Sequence, residues 1–579
     1  MNSSSPKNEG LLYGLALLIA VALRFIQLGA VPLTDSEATL ALQALHLASG
    51  KSVLLAPQPV YILFTTIFFA IVQSTNFMAR VIPAIAGSAL IFAPLVLREK
   101  IKPRPALILA FLIAVDPGFT ALSRQSNGAI LAATCLMFAY GMWTHRRVHA
   151  TGIFLALALL SGPSIWAGLL ILLLTSIFLR FTESAPAKND PPTTNEDASS
   201  SIENPKSQIV NLFPSFIITF LLAGTLFFTT PNGLSAAFAS IPAYLNDWIH
   251  PTSTPPTRIL IAFLAYEPLG VTLAILSLIR GYRTNSRRII RLSMWLGVAL
   301  LLTIFQRNAD GLVWAILPLL VLAAMELSRA LDIFRDEFME VGLVTLGICL
   351  LSAYIWFNVS GIALNTYIAP TTLPIFGTVQ NPRLLVFYGS LIILIMSLLL
   401  VASGWSARTA RLSATWSAVI FLGFYSIAAA WGASGLRDPD GFELWLPDSR
   451  PVQTDLLNSS VDEISDYSVG HVDSQPVTIF GVSSPALEWL LRNNAITVAS
   501  TLDPQEAPPI LITPVMKDPG LPAAYRGQDF TWRKYPQWES VDSYGWIKWL
   551  VFRQLPEKDE TIILWARNDL FPDGQAKTP

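Results

Sequence analysis

Apolar runs about as long as a bilayer is thick recur along this chain, and no other feature constrains its fold more. A helix needs about 20 apolar residues to cross the hydrocarbon core. The first such run, "LLYGLALLIAVALRFIQLGA", covers 11–30. Others lie near 80–97, 104–121, 127–143, 150–162, 164–181, 209–229, 258–280, 289–306, 311–330, 341–362, 383–403 and 412–432. By length they predict about 13 transmembrane helices, some of them short. Charged residues make up 13% of the chain, about half the share in a soluble domain. The expected fold class is a polytopic α-helical membrane protein. Inside a bilayer the helix satisfies each backbone N–H and C=O within its own segment.

The formal net charge of −1 gives no footing for nucleic acid. The two cysteines, Cys135 and Cys349, fall inside apolar runs. Neither a disulfide framework nor a cysteine metal site is expected. The start "MNSSSPKNEG" is short and polar, and no small-residue cleavage site follows the first run. That run is expected to be a retained helix.

Short basic loops orient a membrane protein. "REKIKPR" (98–104), "THRRVH" (144–149), "RGYRTNSRR" (280–288) and "SARTAR" (406–411) fall on one side if residues 11–30 run outward from the cytoplasm. This requires "VYILFTTIFFAIVQ" (60–73) to be a juxtamembrane or re-entrant helix. The expected topology has a cytoplasmic N-terminus and places everything after residue 432 outside. Residues 182–208, rich in Pro, Ser, Asn and Thr, form an expected disordered cytoplasmic linker between membrane halves 1–181 and 209–432. Over 433–579 the pattern changes to "VTIFGV", "AITVAS", "PPILITP" and "ETIILWAR" as strands, with "SPALEWLLRNN" and "SYGWIKWLVFRQL" as helices. That alternation predicts a small extracytoplasmic α/β domain. "GVSSPA" reads as an N-cap or an anion site at a helix start. Trp489, Trp532, Trp538, Trp546, Trp549 and Trp565 suit stacking on sugars or a place at the membrane interface.

On this topology Asp35 and Glu37, in "PLTDSEATLALQAL", lie on the outer face just past the first helix. A capping box for the helix that follows is one reading: Thr34 or Asp35 as N-cap, with Glu37 near the third position. Catalysis at the membrane surface is the other, and the two are compatible. Asp116, before Pro117, reads as a helix end or turn residue. Arg24, Arg124, Arg258 and Arg307 are candidates for holding phosphate. Snorkelling serves equally for Arg24 and Arg124, and a surface ion pair with Asp310 for Arg307. Glu267 lies within an apolar run, where an acid costs about 2.5–3.5 kcal/mol to insert, so it should face a cavity or a partner. No metal-ligand spacing appears. A divalent metal is possible without being indicated.

The early acidic pair, a second acid followed by "SR", the hairpin break "LLSGPSIWAGLL" and the intrahelical "YEPLG" together resemble the C-type glycosyltransferase superfamily. That group contains the protein O-mannosyltransferases and the lipid A aminoarabinose transferase. "FLAYEPLGV", "YRGQDFTWRKYPQW" and "WIKWLVFRQLPEKDETIILWARNDLFP" are similar to its flippase activity-associated branch. The resemblance implies the C-type fold and a transferase of the cell membrane. Its donor would be a polyprenyl-phosphate sugar and its acceptor a protein, lipid or glycan on the outer face, with inversion. It also implies that Asp35 or Glu37 acts on the acceptor hydroxyl and that Asp116 binds metal or acceptor. Many members have adjacent Asp-Glu where this chain has Asp-Ser-Glu. Two alternatives stand beside the transferase: a transporter or flippase of lipid-linked sugars, and a non-catalytic scaffold of a glycan assembly complex.

Overall fold

The computed structural model describes residues 8–571, apart from 184–204, 252–253, 332–336, 365–370, 374–376, 380–381, 438–440 and 446–448. The expected linker falls almost wholly outside the described residues.

The first membrane half comprises α1 (Glu9–Phe25), α2 (Asp35–Ala48), α3 (Pro59–Ile71), α4 (Asn76–Ala89), α5 (Pro103–Val115), α6 (Pro117–Ser123), α7 (Ala129–Thr144), α8 (Val148–Leu160) and α9 (Ser164–Glu183). The second comprises α10 (Pro205–Gly224), α11 (Asn232–Ile249), α12 (Pro256–Tyr266), α13 (Pro268–Arg283), α14 (Arg287–Gln306), α15 (Val313–Ala330), α16 (Phe338–Leu364), α17 (Pro382–Gly404) and α18 (Ala407–Ala433). Among the described residues seven helices are long and apolar enough to cross a membrane, and nine if each bent pair is one span. The other four expected spans are shorter helices: α1, α7, α8 and α10. All the expected segments are therefore helical. The chain is a multi-pass membrane protein.

Both bent pairs break at an acid followed by proline. α5 and α6 meet at Asp116 with a bend of 57°, and α12 and α13 meet at Glu267 with a bend of 86°. Proline lacks an N–H and drives the residue before it out of the helical region. Asp116 accordingly takes an extended backbone, with ψ 126°. At the centre α15 packs against α5, α13 and α14. At the periphery α17 exposes Ile392, Met396, Leu399 and Leu400, an apolar face suited to lipid.

After the last span come α19 (Thr454–Val469), β1 (Val477–Phe480), α20 (Pro485–Leu490), β2 (Ile496–Ala499), β3 (Ile510–Pro514), β4 (Tyr525–Pro536), α21 (Ser543–Phe552) and β5 (Glu557–Arg567). The sheet order is β2-β1-β3-β5-β4. β1 pairs in parallel with β2 and β3, while β5 is antiparallel to β3 and β4. The central β3 buries Ile510, Leu511 and Ile512 completely, as a strand covered on both faces must. α19 and β4 are absent from the sequence expectations. β4 is heavily polar, but its ladder to β5 runs from Tyr525 to Pro536, it buries Phe530 and Trp532, and Arg533 lies opposite Glu560 and Lys534 opposite Asp559.

This domain docks on the loop end of the first membrane half. The Trp489 indole N–H donates to Asn76 Oδ1 at 2.7 Å, and its ring stacks 5.7 Å from Phe69. Arg492 donates to the Ser74 carbonyl at 2.7 Å.

Candidate active site

A cleft of ≈820 Å³ opens between the docked domain and the membrane helices. Its walls are the turn before α2, the start of α12, segments 441–443 and 449–452, and the end of β4 with the residues beyond it. Its charged side chains include Asp35, Arg258, Glu443, Arg450, Arg533 and Lys534. Glu443 is already engaged, by the Tyr266 hydroxyl and by Arg553 Nε at 3.4 Å. A crevice shares Val31 and Arg450 with the cleft and adds Arg80 and Arg124 to its lining.

The two opening acids take different roles. Thr34 caps α2 and Glu37 completes a capping box. Glu37 Oε2 accepts from the Thr34 N–H at 3.0 Å, and Oε1 from the Ser126 N–H at 2.9 Å. Arg80 grips both oxygens, at 2.9 and 2.6 Å. Burial pushes the Glu37 carboxyl up, but Arg80 and the two backbone N–H groups outweigh it and hold the group below its ordinary value. A carboxylate so fully engaged is structural. Asp35 instead faces the cleft, with 30% of its side chain exposed. Its Oδ1 accepts from Ser484 Oγ at 2.8 Å and from the Ala486 N–H at 3.0 Å, and Arg533 donates to Oδ2. Ser484 is also the N-cap of α20. Both readings of "GVSSPA" therefore hold, and the anion at that helix start is the chain's own Asp35.

Asp116 and Glu267 adjoin one another, buried at the two helix breaks and outside the cleft lining. Two residues on from Asp116, Gly118 lies against the indole of Trp445. Arg24 is fully buried and donates to the carbonyls of Ile113 and Ala114 at the end of α5. Arg124 caps the end of α1 through the carbonyls of Leu23, Arg24, Ile26 and Gln27. Both satisfy terminal helix carbonyls, the use that competes with phosphate binding. Arg258 lines the cleft, stacked 4.4 Å above Trp538. Arg307 caps α14 in a left-handed conformation, φ 57°, away from the cleft lining. Trp489, Trp532, Trp549 and Trp565 are packed in the interior; of the other two, Trp538 lines the cleft and Trp546 lies against it, ring centroids 5.7 Å apart.

Arg80, Arg450, Arg533 and Glu443 escaped the sequence reading. Arg533 lies in a polar strand about 500 residues from its partner Asp35, and only folding brings the two together. Among the described residues no three His, Cys, Asp or Glu side chains form a metal set. The neighbours of Asp35 are hydrogen-bond donors. These residues do not fit a divalent ion.

No family model matches the chain, and no curated protein sequence does either. Solved structures match in fold. ArnT from Cupriavidus metallidurans, bound to undecaprenyl phosphate, aligns with a TM-score of 0.53 at 12% identity, over 97% of this chain and 99% of that one. Its apo form aligns at 0.51 and 12% identity, over 96% and 98%. Over nearly its whole length this chain shares the fold of ArnT.

Proposed function

We propose that the chain is an integral glycosyltransferase of the plasma membrane. It moves a sugar from a polyprenyl-phosphate donor to a hydroxyl of a protein, lipid or glycan on the outer face, with inversion. The observation that carries this reading is the cleft itself, where the solvent-reachable Asp35 carboxylate shares one space with Arg258, Arg450, Arg533 and Lys534. The likeness in fold to an ArnT crystallised with undecaprenyl phosphate supports the donor class.

Each group then has a role. The donor phosphate competes for Arg533 and draws it from Asp35, and the arginines bind the charge that grows on the leaving oxygen. Asp35, released, accepts the proton of the acceptor hydroxyl. The acceptor oxygen forms its bond to the anomeric carbon as the bond from that carbon to the phosphate oxygen breaks. Polyprenyl phosphate leaves with the electron pair, and the proton on Asp35 passes to water.

The test follows release of free polyprenyl phosphate by purified protein given polyprenyl-phosphate mannose or glucose and an acceptor extract. Asp35→Asn should lower turnover by about 10²-fold or more while leaving the melting temperature near that of the wild type. Full turnover in that variant would remove Asp35 from the mechanism.

The adjoining acids at two broken spans favour a second reading, transport of lipid-linked sugars, since transporters build sites at interrupted helices. Movement of a fluorescent polyprenyl-phosphate sugar across vesicles, lost in Glu267→Gln and kept in Asp35→Asn, would select it.

A further inference from the structure

Residues 124–128 separate two spaces. Arg124 and Gln125 line the arginine crevice, whereas Asn127 and Gly128 line a second cleft, of ≈120 Å³. Its walls come from the start of α3, the end of α11 and the turn that follows α14. The transferase reading uses none of these residues.

The polar groups of this second cleft are incompletely satisfied in a consistent way. Gln306, only 5% exposed, makes no side-chain hydrogen bond among the described residues. Tyr244 also lines the cleft, although its hydroxyl is closed off from solvent. Gln58 spends its Oε1 on the Gly128 N–H at 2.8 Å, and Asn308 its Oδ1 on the Asp310 N–H at 3.0 Å. Each keeps an amide NH₂ for the cleft. Asp247 adds a half-buried carboxyl, pushed upward by that burial. Buried polar groups nearly always find partners, and the Gln306 side chain finds none among the described residues, which leaves its amide to whatever fills the cleft.

The mixture of groups selects the ligand. The amides of Gln58, Asn308 and Gln306 bring NH₂ donors; the Gln306 carbonyl and the carboxyls of Asp247 and Asp310 accept. The NH₂ donors among these groups disfavour a metal ion, and Asp247 and Asp310 repel phosphate. An apolar ligand would leave the whole set unpaired. A ring carrying several hydroxyls, each both donor and acceptor, answers all of them, and the volume suits a single ring. We propose that this cleft is a second binding site, for one neutral sugar ring, distinct from the cleft at Asp35.

The test is saturation-transfer NMR on the full chain in lipid nanodiscs, because sugar-headed detergents would compete. The probes are the methyl glycosides of mannose, glucose and galactose. At least one should bind saturably. Gln306→Leu and Asp247→Asn, on different helices, should each weaken it by about tenfold or more. Melting temperatures identify a variant that has failed to fold, and the remaining variant then decides. Asp35→Asn should bind as the wild type does, so failure of the transferase reading leaves this result standing. The proposal is overturned if none of the three binds saturably, or if folded Gln306 and Asp247 variants bind unchanged. Loss in Asp35→Asn alone would also overturn it, placing the sugar in the first cleft. So would terbium luminescence that depends on Asp247, which would mark an ion site.

Discussion

A single residue separates Asp35 from Glu37, yet they face opposite ways, as positions about 200° apart on a helix must. Glu37 turns inward to Arg80; Asp35 turns to Arg533 and Ser484. Removing one partner of a buried ion pair costs about 3–5 kcal/mol, because the other is left uncompensated. Glu37→Gln should therefore lower the melting temperature strongly at pH 7. The pH dependence follows from the depressed value of Glu37. Its stabilisation is whole above the ordinary Glu value of about 4.3 and is lost as pH falls through the folded value. The melting gap between wild type and Glu37→Gln should thus be widest near neutrality and shrink below about pH 4.3. A gap independent of pH would mean that Glu37 is not the ionised member of the pair.

At the scale of elements, the apolar runs were legible because a membrane leaves a helix few alternatives. The break at Asp116 was legible as a turn before Pro117, whereas Glu267 was expected inside a continuous helix and instead sits at an 86° break, because Pro268 removes a backbone donor and excludes the residue before it from the helix. β4 was missed because its charges hide the alternation of a strand; they are satisfied by β5, whose register no local signal supplies. The break after Asp116 depends on close approach. A Cβ on Gly118 would lie 2.5 Å from Ile316 Cδ1 and 2.8 Å from Trp445 Cη2. Gly118→Val should cost about 1–3 kcal/mol through overpacking. Gly342→Ala, where a Cβ meets nothing within 4 Å, should melt as the wild type does. Equal melting of both variants would show that α6 shifts freely.

For the whole molecule, the decisive contact is between a membrane loop and a domain that begins some 400 residues later. Asp35 binds Ser484 Oγ, the Ala486 N–H and Arg533, joining α2 to α20 and β4. Asp35→Ala should increase deuterium uptake in α20 and in the first turn of α2, with α15 unchanged. Exchange is fastest where local opening costs least. Unaltered uptake would assign the docking to Trp489 and Arg492 alone.

What the sequence determined by itself was the solvent and the local geometry. Its apolar runs demand a bilayer and helices, Pro117 marks a turn at Asp116, and the Thr34–Glu37 spacing predicts a capping box. These depend on residues within a few turns of each other. Tertiary structure alone decided which acid faces a cleft, which arginines enclose it, and that Arg24 and Arg124 cap helix ends. It also brought Gln58, Asp247 and Gln306 to one pocket. Those outcomes depend on charge pairing and burial between segments hundreds of residues apart, and a linear chain carries no local trace of them.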